Sequence, residues 1–492
     1  MKIKSKIAAM ALVVALSVGT AIPISDAQAE LKSVKGWRSI AVGVSHSLGI
    51  KNDGTLWQWG EITTYRGSDG GETNLSALVP EQVPGLTDVI AVAGGQTHSL
   101  ALREDGTVWA WGGNHDGQLG DGNDTSRALP ALVSGLTDVV AIEADWTRSF
   151  AVRKDGSVWG WGGLYYQDSD GTIRNTGVLK KLDGLKDVVS ISSGYGSFVA
   201  LKKDGTVWQY LEQLTQIPGV ENIVQVAVGS QYTYGLDKDG VVWYWGSIGE
   251  GMSNGVSMDD DSTARKLEGA TGVAAIQASA GGPLLLKKDG TVWASGTNAG
   301  GQLGNGSFQS NDKLSQVIGL KKITKIAAHG IGFRSMAIRA DGTLWSWGAP
   351  YLGDGSKWNG KIPVAIASYP NETLEKDPYF VEVNGEYLQM SQPPINQEGR
   401  ILVPLRAIFE AMDTKVQWSS SSSTITAEKG NLSIRLTVGE KTAWVNGKKL
   451  EIAVPPVIVN NSALVPVRFI SESLGAKVDW DVTSKTITIK TV

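Results

Sequence analysis

An eight-residue unit, Asp105-Gly106-Thr107-Val108-Trp109-Ala110-Trp111-Gly112, returns with variations through most of the chain. Asp-Gly pairs that open onto a tryptophan stand at Asp53, Asp105, Asp155, Asp204, Asp239, Asp289 and Asp341, at intervals of 52, 50, 49, 35, 50 and 52 residues. Self-similarity at a period near 50 restricts the chain to stacked copies of one supersecondary unit, none of which buries its apolar surface alone.

Within each copy an apolar alternation precedes Asp-Gly, so the pair sits where a tight turn joins two antiparallel strands. Gly106 supplies positive φ and Asp105 satisfies nearby backbone N–H groups. Trp109 and Trp111, two apart on a strand, project from one face. Val139 to Ile142, Ser149 to Val152 and Ser157 to Trp161 give three strands before a looser fourth, and apolar residues occupy both strand faces. Seven such sheets predict a closed all-β, seven-bladed β-propeller. An open solenoid and two smaller barrels are the competing arrangements. In the propeller, Trp109, Trp159, Trp243 and Trp345 are expected between blades, with the Asp-Gly turns on a common face.

Composition narrows the chemistry. The 492 residues contain no cysteine and four histidines, which excludes disulfides, a thiolate nucleophile and cysteine-held zinc. A net charge of −4 predicts no broad attraction to nucleic acid or an anionic membrane. Lys2, Lys4 and Lys6 precede the apolar run Ile7 to Val18 and a small-x-small site at Ala27-Gln28-Ala29, the pattern of a cleaved secretory signal at 1–29. No later stretch is long and apolar enough to span a membrane.

His46 and His98 share a repeat position that elsewhere holds Arg148, Ser197, Tyr232, Gly282 and Arg334. Such variation argues for structural side chains over ligands or bases. Gly117-Gln118-Leu119-Gly120, Gly301-Gln302-Leu303-Gly304 and Tyr351-Leu352-Gly353 read as switchback turns between third and fourth strands, each Leu plugging its blade. None has the Lys-Ser/Thr ending of a phosphate loop. The segments Val89 to Leu102, Asp105 to Gly112 and Gly117 to Gly120 resemble regulator-of-chromosome-condensation repeats, over roughly 31–368. The resemblance implies a seven-bladed propeller that works by protein binding on its faces, as in a nuclear guanine-nucleotide exchange factor and a secreted bacterial β-lactamase inhibitor. The signal segment and the lack of a basic tail argue against chromatin-linked exchange.

Departures from the pattern mark candidate contact residues. Trp208-Gln209-Tyr210-Leu211 breaks the Trp-x-Trp-Gly rule, and the 35-residue interval leaves the fourth repeat without a long switchback. A notch in one face follows, as drift or as a partner-selective opening. Tyr165, Tyr166, Trp208, Tyr210 and Tyr244 surround it; Trp146 and Trp358 stand outside the regular tryptophan columns. Exposed aromatics would anchor a partner; local packing is the alternative for each. Asp168-Ser169-Asp170 and Asp259-Asp260-Asp261 lack the ligand spacing of a calcium loop and read as solvated acidic loops. No Ser/His/carboxylate set assembles, so no catalytic, cofactor or metal residue is assigned.

After a polar, Pro-marked connection at 369–378, a second pattern begins. Val383-Asn384-Gly385 recurs as Val445-Asn446-Gly447, and Leu402-Val403-Pro404-Leu405-Arg406 as Leu464-Val465-Pro466-Val467-Arg468, each 62 residues apart. Each half reads as an Asn-Gly hairpin, a short helix (Ala407 to Met412, Phe469 to Leu474) and two strands, a smaller duplicated α+β domain at 379–492. Arg406 and Arg468 either pair locally or capture a ligand. This stretch resembles the copper-amine-oxidase N-terminal-like domain of secreted Gram-positive proteins, an accessory stalk in the oxidases. With no histidine after His329, the resemblance implies no redox activity.

The expectation is a secreted or cell-wall-associated, non-catalytic protein-interaction module: propeller at 30–368, with the C-terminal domain as spacer or tether. It needs no cofactor, and an extracellular protein is its expected partner. Cell-wall polysaccharide binding or adhesion is the alternative, and nucleic acid is excluded on charge. A hydrolase in the central channel is disfavoured, because no nucleophile or carboxylate pair repeats.

Overall fold

A computed structural model describes residues 36–66, 72–167, 173–194, 197–210, 214–246, 263–355, 359–366, 379–388, 390, 394–459, 462–481 and 486–491. Residues 1–29, expected as a signal segment, the 369–378 connection, both acidic loops and Trp358 lie outside them. The chain divides into two units, 1–373 and 374–492.

The first unit is a propeller of seven antiparallel four-stranded sheets, each with its strands in chain order. The blades span 37–82, 89–132, 139–181, 188–216, 223–266, 273–316 and 323–366. In blade 2 the strands are Val89–Gly94, His98–Arg103, Val108–Gly112 and Arg127–Leu132. Asp-Gly turns join second to third strands, on the face where the chain passes to the next blade. On that face Asp105 Oδ1 accepts the Thr107 N–H at 3.0 Å and the Thr107 hydroxyl at 2.6 Å, while Trp109 Nε1 donates to Thr107 Oγ1 at 3.3 Å. The same relay joins Asp53, Thr55 and Trp57, and Asp289, Thr291 and Trp293. These hydroxyl bonds, and then the backbone N–H, hold Asp105 and Asp289 below the usual carboxylate range.

The tryptophan columns divide the work differently from expectation. Trp345 is buried, but Trp109, Trp159 and Trp243 are only half-buried. Each first-column ring lies beside the solvent-facing turn, and cations cover several of them: the Lys202 and Lys287 ammonium groups stand 4.0 and 4.1 Å from the Trp208 and Trp293 rings. The second column is the buried one. Trp59, Trp111, Trp161, Trp245 and Trp347 are each at most 1% exposed and pack against the preceding blade.

The switchbacks complete these seams. Buried Asn114 shapes the blade 2 loop, its Oδ1 accepting from Leu119 N at 2.8 Å and its Nδ2 donating to Asn123 O at 2.9 Å; Asn298 does the same in blade 6. Leu119, Leu303 and Leu352 are buried as expected. Each loop then offers a carbonyl to the next blade's indole: Trp161 Nε1 to Gln118 O at 2.8 Å, Trp347 Nε1 to Gln302 O at 2.9 Å, and Trp59 Nε1 to Leu352 O at 3.1 Å. The following glycine lies flat on the ring, since a Cβ on Gly120, Gly304 or Gly353 would stand 2.7–2.9 Å from indole atoms.

The last of these contacts closes the ring. No strand is shared: Gly360–Ile366 pairs with Leu344–Gly348 as the fourth strand of blade 7. Blades 7 and 1 meet side by side through Trp37, Trp59, Met336, Leu344 and Ile366, with Trp37 N donating to Gly342 O at 2.9 Å.

In the second unit the duplicated halves interlace. Arg400–Pro404 pairs antiparallel with Ser462–Pro466, placing Val403 opposite Val465. The first hairpin strand, Phe380–Val383, pairs parallel with Thr486–Lys490, while the second hairpin extends the first half's sheet, Lys415–Ser419 through Lys448–Glu451. Helices α1 (Leu405–Ala411) and α2 (Val467–Ser473) begin directly after Pro404 and Pro466, two residues earlier than predicted. Proline's fixed φ suits a helix entry, where no N–H is required. Arg406 and Arg468 form exposed pairs with Glu410 and Glu472 at 3.9 and 4.0 Å.

Trp161→Ala should cost about 3–5 kcal/mol, more than Trp109→Ala, because it removes a buried ring as well as a seam hydrogen bond. Gly304→Ala should cost about 1–3 kcal/mol through overpacking against Trp347. Urea unfolding of the three variants checks this order.

Candidate functional site

The face opposite the Asp-Gly turns carries the turns between first and second strands, near the axis, and the switchbacks, near the rim. Beneath it runs a polar ladder linking neighbouring blades. His46 Nε2 meets Ser99 Oγ at 2.8 Å, His98 Nε2 meets Ser149 Oγ at 2.9 Å, and Arg334 Nη1 donates to Ser47 Oγ at 3.0 Å. Across blades 3 and 4, Arg148 pairs with Asp145 and donates to Gly194 O at 3.0 Å. The His329-to-Phe333 turn reaches over the axis: Ala280 N donates to Gly332 O at 3.0 Å, and a Cβ on Gly330 would stand 2.2 Å from Val228 O.

The buried imidazoles of this ladder are kept neutral. Burial, reinforced by the Arg334 charge, lowers His46 from 6.5 to about 3; burial and the other histidines lower His98 to about 3. His329 is lowered by burial, and burial raises Glu143 from 4.5 to about 8, with Asp145 adding to the shift. Depressed imidazole values, with ring nitrogens of His46, His98 and His329 lacking partners, fit a structural role over proton transfer.

Among the described propeller residues, the exposed large aromatics are Trp146, Tyr210, Tyr232, Phe308 and Phe333, at 42–46% exposure. All five lie on this face. Trp146 occupies the first turn of blade 3, as the sequence allowed. Tyr210 ends the third strand of blade 4, stacked on Phe198 at 5.4 Å. Tyr244 is half-buried with Tyr232 edge-on at 5.6 Å. Trp208 lies elsewhere, in the first tryptophan column beside its Asp-Gly turn, with Nε1 bonded to Thr206 Oγ1 at 3.2 Å. Tyr165 and Tyr166 sit in Val158–Gln167, opposite Asn175 and Arg174, and their side chains lie outside the described residues. Sequence reading missed Tyr232, Phe308 and Phe333. Tyr232 stands in the histidine column and Phe333 one residue before it, so only their exposure distinguishes them.

The described first-strand turns carry one formal charge outside the histidines, Asp145, and it is paired with Arg148. The first-strand turns are therefore aromatic and charge-poor, and the His329-to-Phe333 turn crosses between them.

Residues 89–118 and 105–152 match the regulator of chromosome condensation (RCC1) repeat, and 382–489 match the copper amine oxidase N-terminal domain. The chain carries RCC1 repeats and a copper amine oxidase N-terminal domain. The RCC1 region is 42% identical over 83 residues to the zebrafish (Danio rerio) protein RCC2 homolog, covering 16% of each chain. It is 36% identical over 85 residues to the human E3 ubiquitin-protein ligase HERC2, covering 17% of this chain and 2% of the ligase. The matched segment is thus a small fraction of either relative. The fold is that of human WBSCR16 (TM-score 0.52, 18% identity, 62% of this chain and 89% of that one) and of Prp20p from Saccharomyces cerevisiae (0.52, 18%, 74% and 92%). The copper amine oxidase domain contains no histidine, so its donor set does not fit a copper centre.

One expectation is corrected. Prp20p has binding properties toward Gsp1p and histones. A propeller of this fold thus binds Gsp1p and histones, so the fold supports neither the expected extracellular protein or cell-wall polysaccharide partner nor the exclusion of nucleic acid on charge. The −4 total sums over every face of two units, whereas binding reads one local surface.

Stability should peak near neutral pH. As pH falls below 6.5 the unfolded chain takes up protons that buried His46 and His98 refuse until about pH 3, costing about 1.4 kcal/mol per unit for each. As pH rises from 4.5 to 8, the protonated Glu143 of the folded state opposes this with the reverse sign. Denaturation midpoints from pH 4 to 8.5 should fall steeply on the acid side, and His46→Gln/His98→Gln should flatten that limb.

Proposed function

We propose that this chain is a non-catalytic protein-interaction module whose propeller binds a partner protein through the aromatic face, with the C-terminal unit as spacer or tether. The exposure of Trp146, Tyr232 and Phe333 at the turns between first and second strands of blades 3, 5 and 7 supports this reading. Large rings on these turns supply contact area with little loss of side-chain entropy, and the described first-strand turns have few charges to desolvate. We propose, further, export from the cell with cleavage after Ala29, on the basis of the basic, apolar and small-residue pattern at 2–29. N-terminal sequencing of the protein recovered outside the producing cells should begin at Glu30; intact Met1 in a purely intracellular pool would refute export.

A photo-crosslinking residue placed at Trp146 should capture a defined partner that one at Asp53, on the opposite face, does not. The Trp146→Ala/Tyr232→Ala/Phe333→Ala variant, folded by circular dichroism, should then bind that partner at least tenfold more weakly. Undiminished affinity would reject the aromatic face.

A further inference from the structure

The turn between first and second strands is three residues long in blades 1, 2, 3 and 5, and five residues long in blade 7. The longer turn, His329-Gly330-Ile331-Gly332-Phe333, is seated on three other blades. Gly330 lies against blade 5, where a Cβ would stand 2.2 Å from Val228 O, and Gly332 lies against blade 1, where a Cβ would stand 3.3 Å from Gly43 O. Gly332 O accepts from Ala280 N of blade 6 at 3.0 Å. Residues 329–332 are buried, and Phe333, at the end of the turn, is 43% exposed.

His329 sets the turn's shape from within. Its Nδ1 accepts the Ile331 N–H at 3.3 Å, and its backbone carbonyl accepts the Gly332 N–H at 2.8 Å. Nδ1 accepts only while it carries no proton; in the imidazolium it would be a donor facing a donor. Nε2 is buried without a hydrogen-bond partner. Burial lowers the His329 pKa, and the Asp145 charge and Ala144 carbonyl of blade 3 offset this only in part. Asp145 is itself paired with Arg148, and Glu143 beside it is raised to about 8, first by burial. His46 of blade 1 and His98 of blade 2 also face His329, and Arg334, next to the turn, donates to Ser47 Oγ. A lifted turn would expose the imidazole to water, where it titrates near 6.5. Acid therefore favours the lifted form: each pH unit below 6.5 multiplies its population about tenfold, until the docked ring takes up a proton as well.

We propose that the blade 7 turn is an acid-released latch, docked at neutral pH and lifted when His329 is protonated, which withdraws Phe333 from the aromatic face. The proposal rests on the reading of that face as the partner-binding surface, and adds a control to it: a partner held at neutral pH is released on acidification.

Hydrogen–deuterium exchange of the full chain, read by mass spectrometry and corrected for intrinsic rates, tests the latch without a partner. Protection of residues 329–333 should fall about tenfold per unit from pH 6.5 to 5, while Val108–Gly112 in blade 2 keeps its protection. His329→Gln, whose amide oxygen can accept from Ile331 N–H but does not titrate, should keep the turn's protection constant over that range. Gly330→Ala, which cannot seat against Val228 O, should expose the turn at every pH with blade 2 still protected, an arm that stands even if the glutamine variant misfolds. A flat profile in the native protein, an undiminished slope in His329→Gln, or a protected turn in Gly330→Ala would overturn the latch. The partner captured at Trp146 should bind at least threefold more weakly at pH 5 than at pH 7, and equally at both in His329→Gln; equal binding by the native protein would overturn the control of binding. Undiminished binding by the triple aromatic variant rejects the aromatic face, whatever the exchange profile.

Discussion

The propeller depends on the contact between a switchback loop and the indole of the following blade. A four-stranded sheet with apolar residues on both faces has no stable existence alone, and each blade needs a neighbour on either side. The second tryptophan of one blade fills the seam, and the Leu-Gly turn of the blade before it seals the rim. Because the N–H of a buried indole requires an acceptor, the loop carbonyl fixes the seam's angular register as well as filling it. The first and seventh blades use the same contact at Trp59 and Leu352, so the ring closes without exchanging a strand.

The two faces then separate by function. On one, the Asp-Thr-Trp relay and covering lysines spend polar residues on the hairpins, leaving a surface of mixed charge held in local pairs. On the other, polarity is drawn inward into the histidine, serine and arginine ladder. What the first-strand turns present outward there is aromatic, with paired Asp145 their one formal charge outside the histidines among the described residues. A scaffold whose polar ladder is bonded between neighbouring blades leaves its outer turns free to vary, and the sequence departs from the regular pattern around blades 3 to 5.

Much of this was legible in the sequence. Seven Asp-Gly-to-Trp units required seven hairpins, and the 62-residue register required two halves, because both periods follow from backbone geometry that any neighbour must respect. The leucine plugs were legible for the same reason. The tryptophan columns were not: Trp109 and Trp111 project from one face, and only the packed ring shows that the inner part of a seam lies beneath the second and the solvent edge beneath the first. Trp208 was misplaced by the same ambiguity, an irregular neighbourhood having been read as an irregular position. Tyr232 was hidden because a repeat position held by buried histidine in two blades gives no sign that another blade exposes it, and Phe333 because it stands one residue before that position.

The sequence by itself determined the repeat, the blade number, the turns and the duplicated second unit, all consequences of local periodicity and of residue types with restricted backbone choices. Tertiary structure alone decided which tryptophans are buried, that the ring closes side by side, and that buried histidines are kept neutral. Those outcomes depend on what an adjacent blade, some fifty residues away, places against a side chain. Neither strand period nor propensity encodes that neighbour.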